Sequence, residues 1–80
     1  MIALIDIGNT RLKYCLVDQG KRGTPQSISN QLLSSAYLSE HFGNITKVIV
    51  ASVSHQNLTK TIELWCTDKS VDYQRVVSEK

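Results

Sequence analysis

Eighty residues, 41% hydrophobic and 20% charged, describe one small domain with a core just sufficient for independent folding, not a disordered chain. A formal net charge of +2, on bases scattered except for Lys21-Arg22 and without an aromatic row beside them, argues against nucleic acid as a partner. The first apolar run is broken by Asp6 and too short for a signal or a membrane span, so no membrane partner and a cytoplasmic location are expected.

In chain order, residues 2–7 (Ile-Ala-Leu-Ile-Asp-Ile) read as a central strand, apolar on both faces and covered on both sides. Gly8-Asn9 follows as a two-residue hairpin loop, with Gly first as a type II′ turn wants. In that register Ile7 faces Thr10, Asp6 faces Arg11, Ile5 faces Leu12 and Leu4 faces Lys13. Asp6, Arg11 and Lys13 then share one side, near one end of the sheet.

Residues 10–17 alternate as a second strand, and residues 18–23, with two glycines and charge, form a turn. Residues 24–28 hold the single proline, Pro25, which suits a short third strand at an edge. Ser29 or Asn30 caps a helix with Leu32, Leu33, Ala36, Tyr37 and Leu38 inward, ended by Gly43-Asn44 as a left-handed cap. Residues 47–53 are an apolar, β-branched buried strand. A second helix starts within residues 54–57, buries Leu58, Ile62, Trp65 and Cys66, and ends at residues 68–70. The last strand, residues 71–77, puts Tyr73, Arg75 and Val77 on one face. The order β-β-β-α-β-α-β predicts an α/β fold with a mixed five-stranded sheet, the later strands parallel to the first because each returns through a helix.

A carboxylate at the end of an apolar strand is costly unless it meets a cation, donors or water at a cleft. One acid, two bases, a hydroxyl and a turn with free amides suit an anion held with a hydrated Mg²⁺. The amides and the Thr10 hydroxyl donate to phosphate oxygens, Lys13 adds a point charge, and Asp6 holds the cation's water shell. The plainer alternative is an ordinary hairpin carrying a surface Asp6–Arg11 pair worth under about 1 kcal/mol.

Asp6-Ile7-Gly8-Asn9-Thr10-Arg11-Leu12-Lys13 resembles the amino-terminal D-x-G-N-T-x-x-K motif of type III pantothenate kinases, at all five fixed positions and at the family's distance from the start methionine. The resemblance implies a ribonuclease-H-like core of the actin/sugar-kinase superfamily. It implies that residues 6–13 bind the phosphates of ATP, with Mg²⁺ at Asp6 through water. In the whole enzyme it implies transfer of the ATP γ-phosphate to pantothenate, giving 4′-phosphopantothenate at the first step of coenzyme A biosynthesis. A monovalent cation (K⁺ or NH₄⁺) and a homodimer are implied as well.

The family's catalytic base is an aspartate in a later G-x-D-R segment, and no G-x-D-R occurs in this sequence. No catalytic residue is therefore assigned. Residues 1–80 are expected to be an amino-terminal ATPase-type domain, inactive alone, with the second domain absent. One rival is a non-catalytic regulatory protein of the same fold. The other, a ribonuclease-H-like nuclease, needs further carboxylates converging on its metals. Residues 47–53 carry none, and Glu40 and Glu63 read as exposed helix charges.

The remaining polar and reactive residues have plain readings. Ser52 and Ser54 lie where strand passes to helix and either line the nucleotide cleft or, for Ser54, cap the helix. His41 and His55 sit at helix ends with no second ligand at metal spacing. Trp65, in line with Leu58 and Ile62, is a core residue and not a stacking platform. Cys15 and Cys66 have no C-x-x-C neighbour and read as free, mostly buried thiols.

Overall fold

The computed structural model of the chain describes residues 1–52 and 56–77. Six strands and two helices occur there: β1 (Ile2–Ile7), β2 (Arg11–Asp18), β3 (Lys21–Arg22), β4 (Gln26–Ser29), α1 (Ser35–His41), β5 (Lys47–Ser52), α2 (Gln56–Lys69) and β6 (Asp72–Val77). A single 3-10 turn, Asn30–Leu32, stands between β4 and α1. The sheet runs β2-β1-β5-β6, with β3 and β4 both paired to the outer side of β2. β1 is antiparallel to β2 and parallel to β5, which is parallel to β6. The expected mixed α/β sheet is present, with six strands in place of five.

The sixth strand comes from the segment expected to be a plain turn. Gln19 (φ 52°) and Gly20 (φ 81°) are both left-handed, as a type I′ loop requires, and they bring Lys21 opposite Asp18. The chain then leaves β2 briefly and returns as β4. Pro25 lies in the gap between β3 and β4, where the ladder needs no N–H.

The first hairpin differs from its expected register. Ile7 pairs with Leu12, Asp6 with Lys13, Ile5 with Tyr14 and Leu4 with Cys15. Gly8 is no turn centre: its N–H donates to the Arg11 carbonyl at 2.9 Å, and its φ is not left-handed. A Cβ there would lie 3.1 Å from that carbonyl oxygen, so glycine is favoured by close approach and not by a II′ turn. The pairing slips by an even number of residues, so every side chain keeps its face.

The expected single first helix is two elements. Ser29 caps only the 3-10 turn, through Gln31 N–H, and Leu33 is extended. Ser34 then accepts from Tyr37 N–H and starts α1, because two adjacent serines offer the backbone a cap where a continuous helix would need good formers. α1 ends at His41, and Phe42, not a left-handed Gly43, closes it by donating its N–H to the Leu38 carbonyl. α2 buries Ile62, Trp65 and Cys66 as expected, and Ser70 (φ 58°) takes the left-handed position after it. Ser54 and His55 lie outside the described residues.

Both crossovers, β1 to β5 and β5 to β6, step the same way across the sheet, so right-handed connection puts α1 and α2 on one face. There Ala3, Ile5, Ile7, Leu12, Tyr14, Val48 and Val50 pack against Leu38, Phe42, Ile62 and Trp65. Aromatic rings knit the layers edge to face: Tyr14 on Phe42 with centroids 5.1 Å apart, and Phe42 on Trp65 at 6.3 Å. Trp65 is core, its Nε1–H donating to Ser39 Oγ at 3.0 Å. Among the described residues nothing covers the other face, so β1 is buried on one side and not on two: Leu4, Cys15, Ile49 and Ala51 are only half-buried on it.

Candidate functional site

The β1–β2 tip projects from the edge of the sheet at which β1 and β5 end. Asp6 and Lys13, opposed across the two strands, lie on the uncovered face together with Arg11, two residues along. All three are exposed, as are Gly8, Asn9 and Thr10. The expectation that the acid and the two bases share a side holds, with Lys13 and not Arg11 facing Asp6. Ile7 and Leu12 point the other way and are buried, so only their backbone is available to a ligand.

Arg11 is already occupied. Its Nε donates to Ser27 Oγ at 3.1 Å and its Nη2 to the Ser27 carbonyl at 3.3 Å, tying β2 to β4. The ion pair found among the described residues is the exposed Lys69–Asp68, at 3.7 Å. Asp6 and Lys13 therefore face each other without an ion-pair partner among the described residues. Below them the open face forms a depression of about 380 Å³ lined by Leu4, Cys15, Ile49, Ala51, Pro25 and Val76, with the two charges at its head.

No group of three or more His, Cys, Asp or Glu gathers among the described residues. A cation at Asp6 thus has one protein carboxylate to meet. That fits a hydrated Mg²⁺ whose remaining positions are water and phosphate oxygens, and does not fit an all-protein cage. Cys66 is buried and Cys15 half-buried, both free. Burial, with Glu63 nearby, pushes the Cys66 thiol up to about 11, which makes it inert. Ser52 is buried at the end of β5. His41 stacks on Tyr37 at 4.1 Å, a packing role.

Reading the sequence missed Asn30 at the tip. Its side-chain Nδ2 donates to the Gly8 carbonyl at 3.0 Å, and its backbone N–H donates to the Thr10 carbonyl at 2.9 Å. Nothing in local spacing links position 30 to positions 8 and 10; only the β2–β4 pairing brings them together.

Fold and site define a mixed α/β domain with an exposed hairpin tip that carries one acid and two bases. Over its whole length the chain is 35% identical to a type III pantothenate kinase of Colwellia psychrerythraea, spanning 32% of that protein. Over 71 residues it is 32% identical to a type III pantothenate kinase of Nitrosococcus oceani, spanning 26% of it. This chain is a relative of the type III pantothenate kinases, and it spans about a third or less of the length of the curated relatives it matches. No family model matches it. A solved structure of the Aquifex aeolicus PPX-GPPA enzyme covers 95% of this chain and 35% of its own, at 14% identity and a TM-score of 0.43, a likeness too loose to define a fold family.

Proposed function

We propose that this chain is the amino-terminal, ATP-phosphate-binding part of a type III pantothenate kinase, built on the ribonuclease-H-like core of the actin/sugar-kinase superfamily. The observation that carries the reading is the pairing of Asp6 with Lys13 at an exposed tip formed by Gly8, Asn9 and Thr10. Tip amides and the Thr10 hydroxyl donate to phosphate oxygens, Lys13 offsets their charge, and Asp6 orients the water shell of Mg²⁺. Mg²⁺, when bound, neutralises charge on the phosphates. Arg11 serves this site indirectly, by fixing β4 beside β2.

The complete kinase transfers the γ-phosphate of ATP to the primary hydroxyl of pantothenate, with a monovalent cation and as a homodimer in the cytoplasm. The base for that hydroxyl lies outside these residues, so the chain alone binds nucleotide without turnover. Titrating MgATP into the isotopically labelled chain tests this directly. Amide resonances of Gly8, Asn9 and Thr10 should shift and saturate, and Lys13→Ala should weaken binding about tenfold. An unchanged spectrum at millimolar MgATP, or labelled phosphate appearing on pantothenate with the chain alone, would overturn it.

A further inference from the structure

We infer that Asn30, outside the D-x-G-N-T-x-x-K stretch, is a positioning residue that holds the hairpin tip in its anion-receiving shape; the ligand half of this inference rests on the function proposed above. Short hairpin tips favour left-handed residues, because types I′ and II′ match the twist of the flanking strands. Among the described residues only Gln19, Gly20 and Ser70 have positive φ, so the tip from Gly8 to Arg11 lacks that self-sufficient geometry. It needs holding from outside.

Asn30 does this twice. One hydrogen bond takes the Gly8 carbonyl at 3.0 Å and another the Thr10 carbonyl at 2.9 Å, gripping the chain on both sides of Asn9. Every described peptide is trans, so each N–H points opposite to the carbonyl of its own peptide unit. Fixing the Gly8 carbonyl toward Asn30 therefore turns the Asn9 N–H away from it, outward at the tip, where a phosphate oxygen needs a donor.

The opposite corner of the same amide bears this out. Asn30 Oδ1 is buried and has no partner among the described residues. Burying an acceptor in that way is unfavourable. The residue is placed for what its donor corner does, and Nδ2, not Oδ1, must face the Gly8 carbonyl. A free buried acceptor beside the tip is also suited to an ordered water.

The test is N30D, with N30A beside it. N30D keeps the size but sets a carboxylate against the Gly8 carbonyl, and the acid regains an O–H donor only when protonated. At neutral pH, backbone amide exchange at Gly8 and at position 30, corrected for intrinsic rates, should run about tenfold faster in N30D. Protection should return towards wild type as the carboxyl is protonated, whereas N30A should stay fast throughout. MgATP affinity should fall about tenfold and follow the same pH course. Wild-type protection at both amides in N30D at neutral pH, or no recovery on acidification, overturns the inference, even if N30A fails to fold. Absence of MgATP binding by the wild-type chain would instead remove the proposed function, while exchange at Gly8 still reports on Asn30.

Discussion

Asp6 and Lys13 face one another directly across β1 and β2, both exposed, on the sheet face that no helix of the described residues covers. They lie two positions inside a tip whose own geometry is set by Gly8 and Asn30. An acid and a base so placed can each address a different part of one magnesium–phosphate ligand.

Lys13→Ala and Arg11→Ala should therefore separate. The first removes an uncommitted charge and weakens MgATP binding about tenfold with the unfolding midpoint nearly unchanged. The second breaks the bonds to Ser27 and costs about 1 kcal/mol of stability with a smaller effect on affinity. Calorimetric titration and urea unfolding of both variants measure the two quantities. Equal losses of affinity would show that Arg11 also meets the ligand.

Gly8→Ala places a methyl group 3.1 Å from the Arg11 carbonyl oxygen, which must shift by a few tenths of an ångström to accept it. A loss of about 1–2 kcal/mol is expected by urea unfolding, with MgATP binding reduced in parallel. Stability equal to wild type would mean that the tip yields freely.

Ser34→Ala removes the cap that satisfies Tyr37 N–H, and the expected loss is about 1 kcal/mol. Ser29→Ala should cost less, since Ser29 caps a single 3-10 turn through a longer bond of 3.3 Å. Thermal unfolding of the two variants, compared side by side, checks the ranking.

Ile62→Ala opens a cavity where α2 meets the sheet, at a side chain with 0% exposure. The cost is expected between about 2 and 5 kcal/mol. For a chain of this size, total stability of about 4–12 kcal/mol makes that a large share, readable as a lowered urea midpoint.

Alkaline pH should destabilise the fold. Burial holds the Cys66 thiol at about 11 against an ordinary 9.0, and burial with the Tyr37 hydroxyl 3.0 Å away holds Tyr14 at about 12 against 10.0. Both groups keep their proton more firmly when folded, so between these limits the unfolded chain binds fewer protons and stability falls as pH rises. The contribution is whole below about pH 9 and lost as pH climbs through 11 and 12. Urea unfolding across that window checks the slope, and Tyr14→Phe should flatten its upper part.

The eight residues from Asp6 to Lys13 were enough to point to the family, because five fixed residue types within one short stretch form a specific local pattern. Apolar runs likewise revealed β1 and β5, alternation revealed β2 and β6, and helical spacing revealed the buried face of α2, while the run of β1 wrongly suggested burial on both faces. Shifting the first hairpin by two positions left that pattern intact, so alternation alone could not choose between Arg11 and Lys13 as the partner of Asp6. Tertiary structure made that choice, by closing the tip on Gly8 and gripping it from Asn30. It also decided that Arg11 is spent on Ser27, that two serines split the first helix, and that one face of the sheet stays open. Each depends on contacts between residues far apart in the chain, and local spacing carries no record of them.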